Sequence, residues 1–388
     1  MKCSGFDATS GAFIELSGGA IIDSVQQPPS APAHGTFLAP GLIDIQVNGY
    51  AGVDFCDPKA PLEGIAHAID VLLSTGVTRF FPTVITNSQE AILGALRNIA
   101  KAKRELPRGR AMEAIHVEGP YISPNDGPRG AHPKAWVRPP SIEEFERWQE
   151  AAEGNIRLVT LSPEWPEAPA YIKHIVSRGV VASIGHQHPT EEQLAAAVDA
   201  GATLSTHLGN GADKILPRHP NYLWQQLAED RLSASLIADG VHLEDMFLKV
   251  AVRAKGVGRA VLVTDAAMPT GCAPGDYMLG EVEVTLHAPA NGRPSRITVK
   301  GSDRLSASAL SLDRAVGHLM RIALVSLPEA IAMGTRNPAR LCSIAGRQQG
   351  LQAGERSDVI EFTFDEATKS IGILRTWLDG ELVYGKPA

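Results

Sequence analysis

Short, mostly apolar stretches recur along the chain, and each ends in polar residues. Near-continuous apolar strands of this kind are typical of a parallel sheet that is covered on both faces. Eight such stretches are present: Ile43–Gly49, Val77–Thr86, Ala114–Pro120, Ile156–Ser162, Val180–His186, Ala202–Leu208, Ser233–Gly240 and Ala260–Ala266. They predict eight parallel strands.

Segments with apolar residues at helical spacing lie between most of these strands. Ser141 with Glu144, and Thr190 with Gln193, match the Ser/Thr-x-x-Glu/Gln pattern that begins a helix. The longer candidate helices are Pro61–Ser74, Ser88–Leu106, Glu244–Lys255, Ala309–Leu324 and Pro328–Leu341. Strands that alternate with helices predict an α/β fold, a (β/α)8 TIM-type barrel, with a doubly wound open sheet as the alternative.

Both ends of the chain fall outside this alternation. The stretches Phe13–Asp23, Asp358–Phe364 and Ile371–Tyr384 read as exposed strands, and Asp379-Gly380 is a typical hairpin turn. We therefore expect residues 1–39 and 345–388 to form one small, discontinuous β-sandwich domain.

The remaining residues, 40–344, are expected to form the barrel. One segment within them, Glu281–Lys300, interrupts the helical pattern after the eighth strand. Its Asn291-Gly292 pair favours a tight turn, so we predict a β-hairpin insertion near residues 280–300.

Composition excludes several classes of protein. Hydrophobic residues make up 44% of the chain and charged residues 20%, so a disordered chain is excluded. The 36 basic and 43 acidic residues give a net charge of −7, which argues against a nucleic-acid or anionic-membrane partner. There is no apolar run long enough to span a membrane, and the start of the chain does not resemble a signal peptide. The four dispersed cysteines form no CxxC pair, so we expect reduced thiols and a cytoplasmic location.

Four residues that can support metal chemistry lie at the ends of predicted strands. Glu118 ends strand three, His186 strand five and His207 strand six, and Asp265 lies on strand eight. In a barrel these ends meet at one face, so one carboxylate and two imidazoles can converge on a divalent ion. A Glu/His/His set with an open position suits catalytic Zn²⁺. Asp265 could then accept a proton from water at that ion.

Each of these residues also has a structural interpretation. A carboxylate at a strand end often caps the following helix, and histidines often pack or hydrogen-bond without binding metal. His116 lies two residues before Glu118, on the same face and one layer deeper, and is expected to be a core residue. His188 and His219 lie in loops, and the sequence assigns them no role.

Several short motifs, in order along essentially the whole chain, resemble those of the N-acetylglucosamine-6-phosphate deacetylases in the amidohydrolase superfamily. The matching segments are Pro40–Phe55, His116–Ser123, Gly130–His132, Gly185–His186, Thr206–Asn210, Ile237–His242, Leu262–Ala266 and Asn337–Arg340. The resemblance implies a metal-dependent barrel with a small β-sandwich built from both termini.

The resemblance also implies roles for individual residues. Many amidohydrolases bind a second metal through an HxH pair, and here Gln46 and Asn48 occupy those positions. Because amides are poor zinc ligands, we predict one ion held by Glu118, His186 and His207. Zn²⁺ is favoured, with Fe²⁺, Mn²⁺ and Co²⁺ as alternatives. Asp265 matches the family's catalytic aspartate. The family histidine that contacts substrate corresponds to His132.

Other matching positions imply how a sugar phosphate is bound. Those that contact the sugar or its phosphate are Asn210, Gly211 and His242, with Leu305, Ala307 and Ser308 in a loop on the sugar side. Arg218, eleven residues after His207, matches the arginine that contacts phosphate. The loops differ from the family's common sequence: HLGNGADK stands where HLYNAM is usual, and GHQHPT where GHSxAT is usual.

The predicted function is metal-dependent removal of the acetyl group from an N-acetylhexosamine 6-phosphate, with N-acetylglucosamine 6-phosphate favoured. One alternative is hydrolysis of another N-acyl or cyclic amide substrate, since one fold and metal site host many reactions. A second is a non-catalytic binding protein, which we would expect to have lost the metal ligands or Asp265. The resemblance further implies a homodimer.

Overall fold

Eight parallel strands in sequence order form the central sheet of the protein, seen in a computed structural model that describes residues 1–280, 282–290 and 294–385. A parallel bridge between Val47 and Ala266 brings the last strand beside the first, so the sheet closes into a barrel. The barrel strands are β5 (Leu42–Val47), β8 (Val77–Ile85), β9 (Ile115–Glu118), β10 (Ile156–Leu161), β11 (Val181–Ile184), β12 (Ala202–Ser205), β13 (Ser233–Ile237) and β14 (Ala260–Val263).

Each of the first seven barrel strands is followed by a helix that leads to the next strand, and α8 follows the eighth. The helices are α1 (Leu62–Ser74), α2 (Gln89–Glu105), α3 (Ile142–Ala151), α4 (Ala168–Ser177), α5 (Glu191–Asp199), α6 (Tyr222–Ala228), α7 (Asp245–Lys255), α8 (Leu312–Ala323), α9 (Leu327–Met333) and α10 (Arg336–Leu341). The predicted barrel is confirmed, and the open sheet is excluded by the closing bridge.

Local sequence signals account for several helix boundaries. Thr190 and Gln193 form the complete capping box at the start of α5. At α3 only half of the box forms: Ser141 accepts from the Glu144 backbone, while the Glu144 carboxylate bonds Tyr121 and Arg138 instead. The predicted helix Pro328–Leu341 divides into α9 and α10, because the chain leaves helical geometry at Gly334 and Thr335.

Both ends of the chain contribute to a second sheet. Its seven strands lie in the order β21-β20-β19-β4-β1-β2-β3 and are antiparallel apart from the β1–β4 pair. Their bounds are β1 (Lys2–Asp7), β2 (Phe13–Gly18), β3 (Ile22–Gln26), β4 (Phe37–Pro40), β19 (Val359–Asp365), β20 (Ser370–Leu378) and β21 (Glu381–Gly385). The predicted fold class, a barrel with a small β unit from both termini, is confirmed. The domain boundaries 1–39, 40–344 and 345–388 stay predictions.

The insertion after the eighth barrel strand is larger than the predicted hairpin. Four strands form an antiparallel sheet: β15 (Gly275–Leu279), β16 (Val282–His287), β17 (Arg296–Val299) and β18 (Leu305–Ala307). The strands β16 and β17 pair as predicted, whereas the predicted turn at Asn291-Gly292 lies outside the described residues. A short hairpin, β6 (Gly49–Tyr50) with β7 (Val53–Asp54), follows the first barrel strand.

A buried charge cluster joins the barrel to the terminal sheet. Arg79, on β8, places its guanidinium 2.7 Å from one oxygen of Asp358 and 3.0 Å from the other. Arg347 lies 2.5 Å from the same carboxylate, and all three side chains are at most 3% exposed. Burial alone would raise the pKa of Asp358, but the two guanidiniums lower it to about 2. We call Arg79, Arg347 and Asp358 the anchoring cluster.

Among the described residues, no helix combines the length and the apolarity needed to cross a membrane.

Candidate metal centre and active site

The residues predicted to carry chemistry lie at the carboxyl ends of the barrel strands. Glu118 is the last residue of β9, and His186, His207 and Asp265 each lie two residues beyond the end of their strand. These last three residues have φ values of +49°, +32° and +51°. Non-glycine residues rarely adopt this left-handed conformation, and where they do they cluster at functional sites. The sharp local turns place all three side chains at the end of the barrel.

Glu118, His186 and His207 converge as the sequence predicted. Oε1 of Glu118 lies 2.9 Å from Nε2 of His207 and 3.3 Å from Nε2 of His186, and the two Nε2 atoms are 3.1 Å apart. All three side chains are buried. Burial would raise the pKa of Glu118, but its hydrogen bonds to the two imidazoles hold it well below the usual range.

The hydrogen-bonding chemistry of this cluster fits a cation. Nδ1 of His186 lies 2.8 Å from the carbonyl oxygen of Pro128, which can only accept. In the neutral ring the proton is therefore on Nδ1, and Nε2 presents its lone pair to the cluster. A carboxylate oxygen and two ring nitrogens that face one another within 4.8 Å are a suitable set of ligands for a divalent ion.

Asp265 is half-buried beside the cluster. Its Oδ1 accepts hydrogen bonds from Nδ2 of Asn48 at 2.6 Å and from Nε2 of Gln46 at 3.1 Å. Burial is the main cause that raises the pKa of Asp265, and the charge of Glu118 raises it further. The structure thus brings this carboxylate to the metal site, together with the two amides that replace an HxH pair.

His132 completes the buried group. Its Nε2 lies 3.2 Å from Nε2 of His186, and its Nδ1 lies 2.8 Å from Oγ1 of Thr86. Burial, followed by the neighbouring His186, lowers the pKa of His132 to about 3, so the ring is neutral near pH 7. His116, by contrast, bonds Thr160 one layer deeper in the barrel, in agreement with its structural interpretation.

The predicted sugar-binding residues differ in how deeply they are buried. His242 places Nδ1 2.7 Å from Oδ2 of Asp239 and is largely buried. Asn210 is half-buried, and its amide bonds the carbonyl of His207 at 3.3 Å. Ser308 is buried and pairs with Ala266, next to Asp265. Leu305 and Ala307 are half-buried on β18.

Among the described residues, no hydrogen bond or ion pair joins the side chain of Arg218 or His219 to the metal centre. Both are exposed in the loop between β12 and α6, and among the described residues neither side chain has an ion pair within 4 Å. His188 has a structural contact: its Nδ1 lies 2.5 Å from Oδ2 of Asp213, and this contact joins two loops. The structure therefore leaves phosphate contacts by Arg218 as a prediction.

Two glycines show how the loop after β12 departs from the common sequence of the family. A Cβ added at Gly209 would lie 2.6 Å from the Phe247 ring, so Phe247 fills the space beside this residue. A Cβ added at Gly211 would lie 2.7 Å from Nδ1 of His186. Neither the tyrosine nor the alanine that is usual at these positions fits this loop without movement.

Two supporting residues were missed by the sequence analysis. Thr86 follows β8 and bonds His132, and Glu164 follows β10. The Glu164 carboxylate accepts from Oγ of Ser123 at 3.1 Å and from the backbone of His188 at 2.8 Å, so it joins three loops around the centre. Both residues lie just past barrel strands. A search for polar residues at the ends of strands two and four, as at the other strands, would have found them.

A barrel whose strand ends carry a buried Glu/His/His set beside an aspartate defines the class of metal-dependent hydrolases. The sequence matches the model of the amidohydrolase family over residues 37–383. The chain belongs to this family and, within it, to the group of N-acetylglucosamine-6-phosphate deacetylases, as the resemblance predicted. It is therefore a metal-dependent amide hydrolase.

Individual relatives support this placement. An N-acetylglucosamine-6-phosphate deacetylase from Bos taurus is 33% identical over 359 residues, which cover 90% of this chain and 84% of the relative. One from Bacillus subtilis is 31% identical, over 86% of this chain and 82% of the relative. The solved structure of a D267A mutant of the Mycobacterium smegmatis deacetylase, in complex with N-acetyl-D-glucosamine-6-phosphate, superposes with a TM-score of 0.86 at 26% identity. It covers 98% of this chain and 97% of that chain.

Proposed function

We propose that this protein hydrolyses the N-acetyl group of N-acetylglucosamine 6-phosphate to give acetate and the amino-sugar phosphate. The observation that carries the proposal is the position of the half-buried Asp265 carboxylate beside the convergent Glu118, His186 and His207. Relatives with this activity in their names match more than four fifths of the chain.

Glu118, His186 and His207 would hold one divalent ion, and Zn²⁺ suits this set of one oxygen and two nitrogens best. Fe²⁺, Mn²⁺ and Co²⁺ share the same kinds of ligand. Such an ion would supply Lewis acidity and lower the pKa of a nearby water toward neutrality. The amides of Gln46 and Asn48 are directed to Asp265, which supports a single ion rather than a pair.

The protein's own groups would move the proton. Asp265 accepts it from the attacking water and returns it to the departing amine, so that the amide C–N bond breaks as the amine leaves. A raised pKa suits a carboxylate to both roles. The neutral His132 would donate an N–H to the carbonyl oxygen as negative charge develops there.

The sugar and its phosphate would be bound at the rim of the centre. His242 and Asn210 contact the sugar or its phosphate, with the Gly211 backbone beside them and Leu305, Ala307 and Ser308 on the sugar side. Arg218 would supply a cation to the phosphate. Its exposed guanidinium, which has no carboxylate within 4 Å among the described residues, supports this role.

The loop after β12, which departs from the common family sequence at Gly209 and Gly211, favours a second candidate substrate for the same reaction. Phe247 lies against Gly209, and the backbone at Gly211 lies against His186, so the side chains of HLYNAM would not fit here without movement. A related N-acyl substrate, another N-acetylhexosamine 6-phosphate or an unphosphorylated N-acyl amine, would fit the same chemistry with different contacts.

We further propose a cytoplasmic homodimer with a zinc ion in each chain. The four cysteines, all free thiols in the structure, support a reducing compartment. The dimer rests on the family resemblance, and light scattering of the purified protein would measure it.

Replacement of Asp265 tests the proposed function. The Asp265→Asn variant should bind metal in the same ratio as the wild type but release no acetate from N-acetylglucosamine 6-phosphate. Metal content by mass spectrometry and acetate release by enzyme-coupled assay measure the two quantities separately. If the variant turned over at the wild-type rate, Asp265 would not be the base.

A further inference from the structure

Gln46 and Asn48, on and just past the first barrel strand, lie where they can control the geometry of the carboxylate on the last one. The backbone contacts between these strands are fixed: the amide N–H of Asp265 donates to the carbonyl of Gln46 at 3.0 Å, and that of Asn48 donates to Ala266 at 2.8 Å. The two side-chain amides therefore approach Asp265 from a rigid backbone, not from a loop.

Both amides donate to the same oxygen of Asp265. Nδ2 of Asn48 lies 2.6 Å from Oδ1 and Nε2 of Gln46 lies 3.1 Å from it. In the part of the chain that the structure describes, no donor lies within hydrogen-bond distance of Oδ2. One oxygen is thus fixed by two donors, and the other is left to accept a proton.

The arrangement leaves a buried polar atom unpaired. Oδ1 of Asn48 is inaccessible to solvent and has no hydrogen-bond partner among the described residues. Rotating the amide would direct this oxygen at the Asp265 carboxylate, where two acceptors repel each other. A buried acceptor without a donor is uncommon and calls for an explanation, and the hydrogen bond to Asp265 provides one.

We propose that Gln46 and Asn48 are positioning residues for the hydrolysis, which hold Asp265 through Oδ1 so that Oδ2 is the oxygen that accepts and returns the proton. This inference rests on the proposed function of Asp265 as the base. Because amides are uncharged, they orient the carboxylate without neutralising it. A cation at the same place would neutralise it. The other titratable groups that act on Asp265 are Glu118, His207 and His242.

Variants at the two positions test the proposal on the metal-loaded protein. Asn48→Leu removes the shorter hydrogen bond at similar volume, and we expect kcat to fall about 100-fold with KM unchanged within about twofold. Gln46→Leu, at the longer bond, should have a smaller effect in the same direction. Asn98→Leu is the matched control. Asn98 lies on α2, and its amide donates to the carbonyl of Ala60 and not to Asp265.

A pH profile separates positioning from general damage. Amide donors stabilise the ionised carboxylate, so their loss should move the acid limb of kcat/KM to higher pH in Asn48→Leu and leave it in place in Asn98→Leu. A kcat for Asn48→Leu within about twofold of the wild type, at full metal content, would overturn the proposal. If Asn48→Leu does not fold, Asn48→Ala removes the donor without adding bulk or charge, and the same expectations apply.

A crystal structure of the metal-loaded Asn48→Leu protein decides the question without reference to substrate. We expect the Asp265 carboxylate to turn away from its wild-type orientation, and an unchanged carboxylate would contradict the positioning role. If the wild type released no acetate from N-acetylglucosamine 6-phosphate, the proposed function would fail, while this structural result would still decide the positioning.

Discussion

Two buried clusters of ionisable side chains lie on the barrel and are satisfied in different ways. In the anchoring cluster, Asp358 has both oxygens bound by Arg79 and one also by Arg347. In the metal centre, the Nε2 atoms of two histidines face each other and one carboxylate oxygen. The first cluster is complete within the protein, whereas the second presents lone pairs that a cation would satisfy.

The two clusters also lie at opposite ends of the barrel strands. Arg79 lies near the beginning of β8 and bonds the terminal sheet, while Glu118 and its partners lie at the carboxyl ends of their strands. In barrel enzymes the carboxyl face carries the chemistry and the opposite face carries stability. We therefore expect substitutions in the metal centre to remove activity, and substitutions in the anchoring cluster to remove stability.

The largest expected effect is on the metal centre. His207→Ala removes one of three ligands, so metal content should fall well below one ion per chain and acetate release should drop by about 10³-fold or more. The metal-free variant should unfold at a urea concentration close to that of the metal-free wild type. A variant that kept both its metal and its activity would show that His207 is not a ligand.

In the anchoring cluster, Asp358→Ala should lower the free energy of unfolding by about 3–5 kcal/mol. It removes the only carboxylate that pairs with Arg347 among the described residues, and the most deeply buried carboxylate that pairs with Arg79. Urea denaturation measures the loss, and activity per folded molecule should be unchanged. Asp199→Ala provides the control: Asp199 pairs with Arg231 on the surface, and its loss should leave the free energy of unfolding almost unchanged. Equal effects of the two variants would contradict the role of the anchoring cluster.

The pH dependence of the anchoring cluster follows from the depressed pKa of Asp358. The folded value is about 2, against 3.8 for a free aspartate, so the stabilisation is complete above pH ~5 and decreases as the pH falls toward 2. The shift corresponds to about 2.5 kcal/mol. Wild type and Asp358→Asn should therefore converge in unfolding free energy between pH 5 and pH 3, and a constant difference over this range would contradict the assignment.

The smallest effect concerns Arg218, which belongs to neither cluster. Because it is exposed, Arg218→Ala should leave stability unchanged and raise KM about tenfold for a phosphorylated substrate only. Steady-state kinetics on phosphorylated and unphosphorylated N-acetylglucosamine check this. Equal changes in KM for both sugars would show that Arg218 does not contact phosphate.

The sequence predicted the metal centre better than the anchoring cluster, for a physical reason. Glu118, His186 and His207 each follow a strand with its own apolar pattern, so the parallel register of the barrel brings them together. Arg79 and Asp358 are 279 residues apart, and no local pattern indicates that they meet.

Two strands of the insertion and the packing of Phe247 also differ from what the sequence predicted. Strands β15 and β18 form because they pair with a neighbouring hairpin, and such pairing is not visible in their own short sequences. The close approach of Phe247 to Gly209 depends on how α7 packs against a loop, which apolar periodicity does not determine.

We propose that this metal centre deacetylates an amino-sugar phosphate. The most direct test of this proposal is the kcat/KM for acetate release from N-acetylglucosamine 6-phosphate, measured beside unphosphorylated N-acetylglucosamine on the zinc-loaded wild type. We predict a value of about 10⁴ M⁻¹s⁻¹ or higher for the phosphorylated sugar and far less for the other. No turnover of either sugar by protein that holds a full complement of metal would contradict the claim.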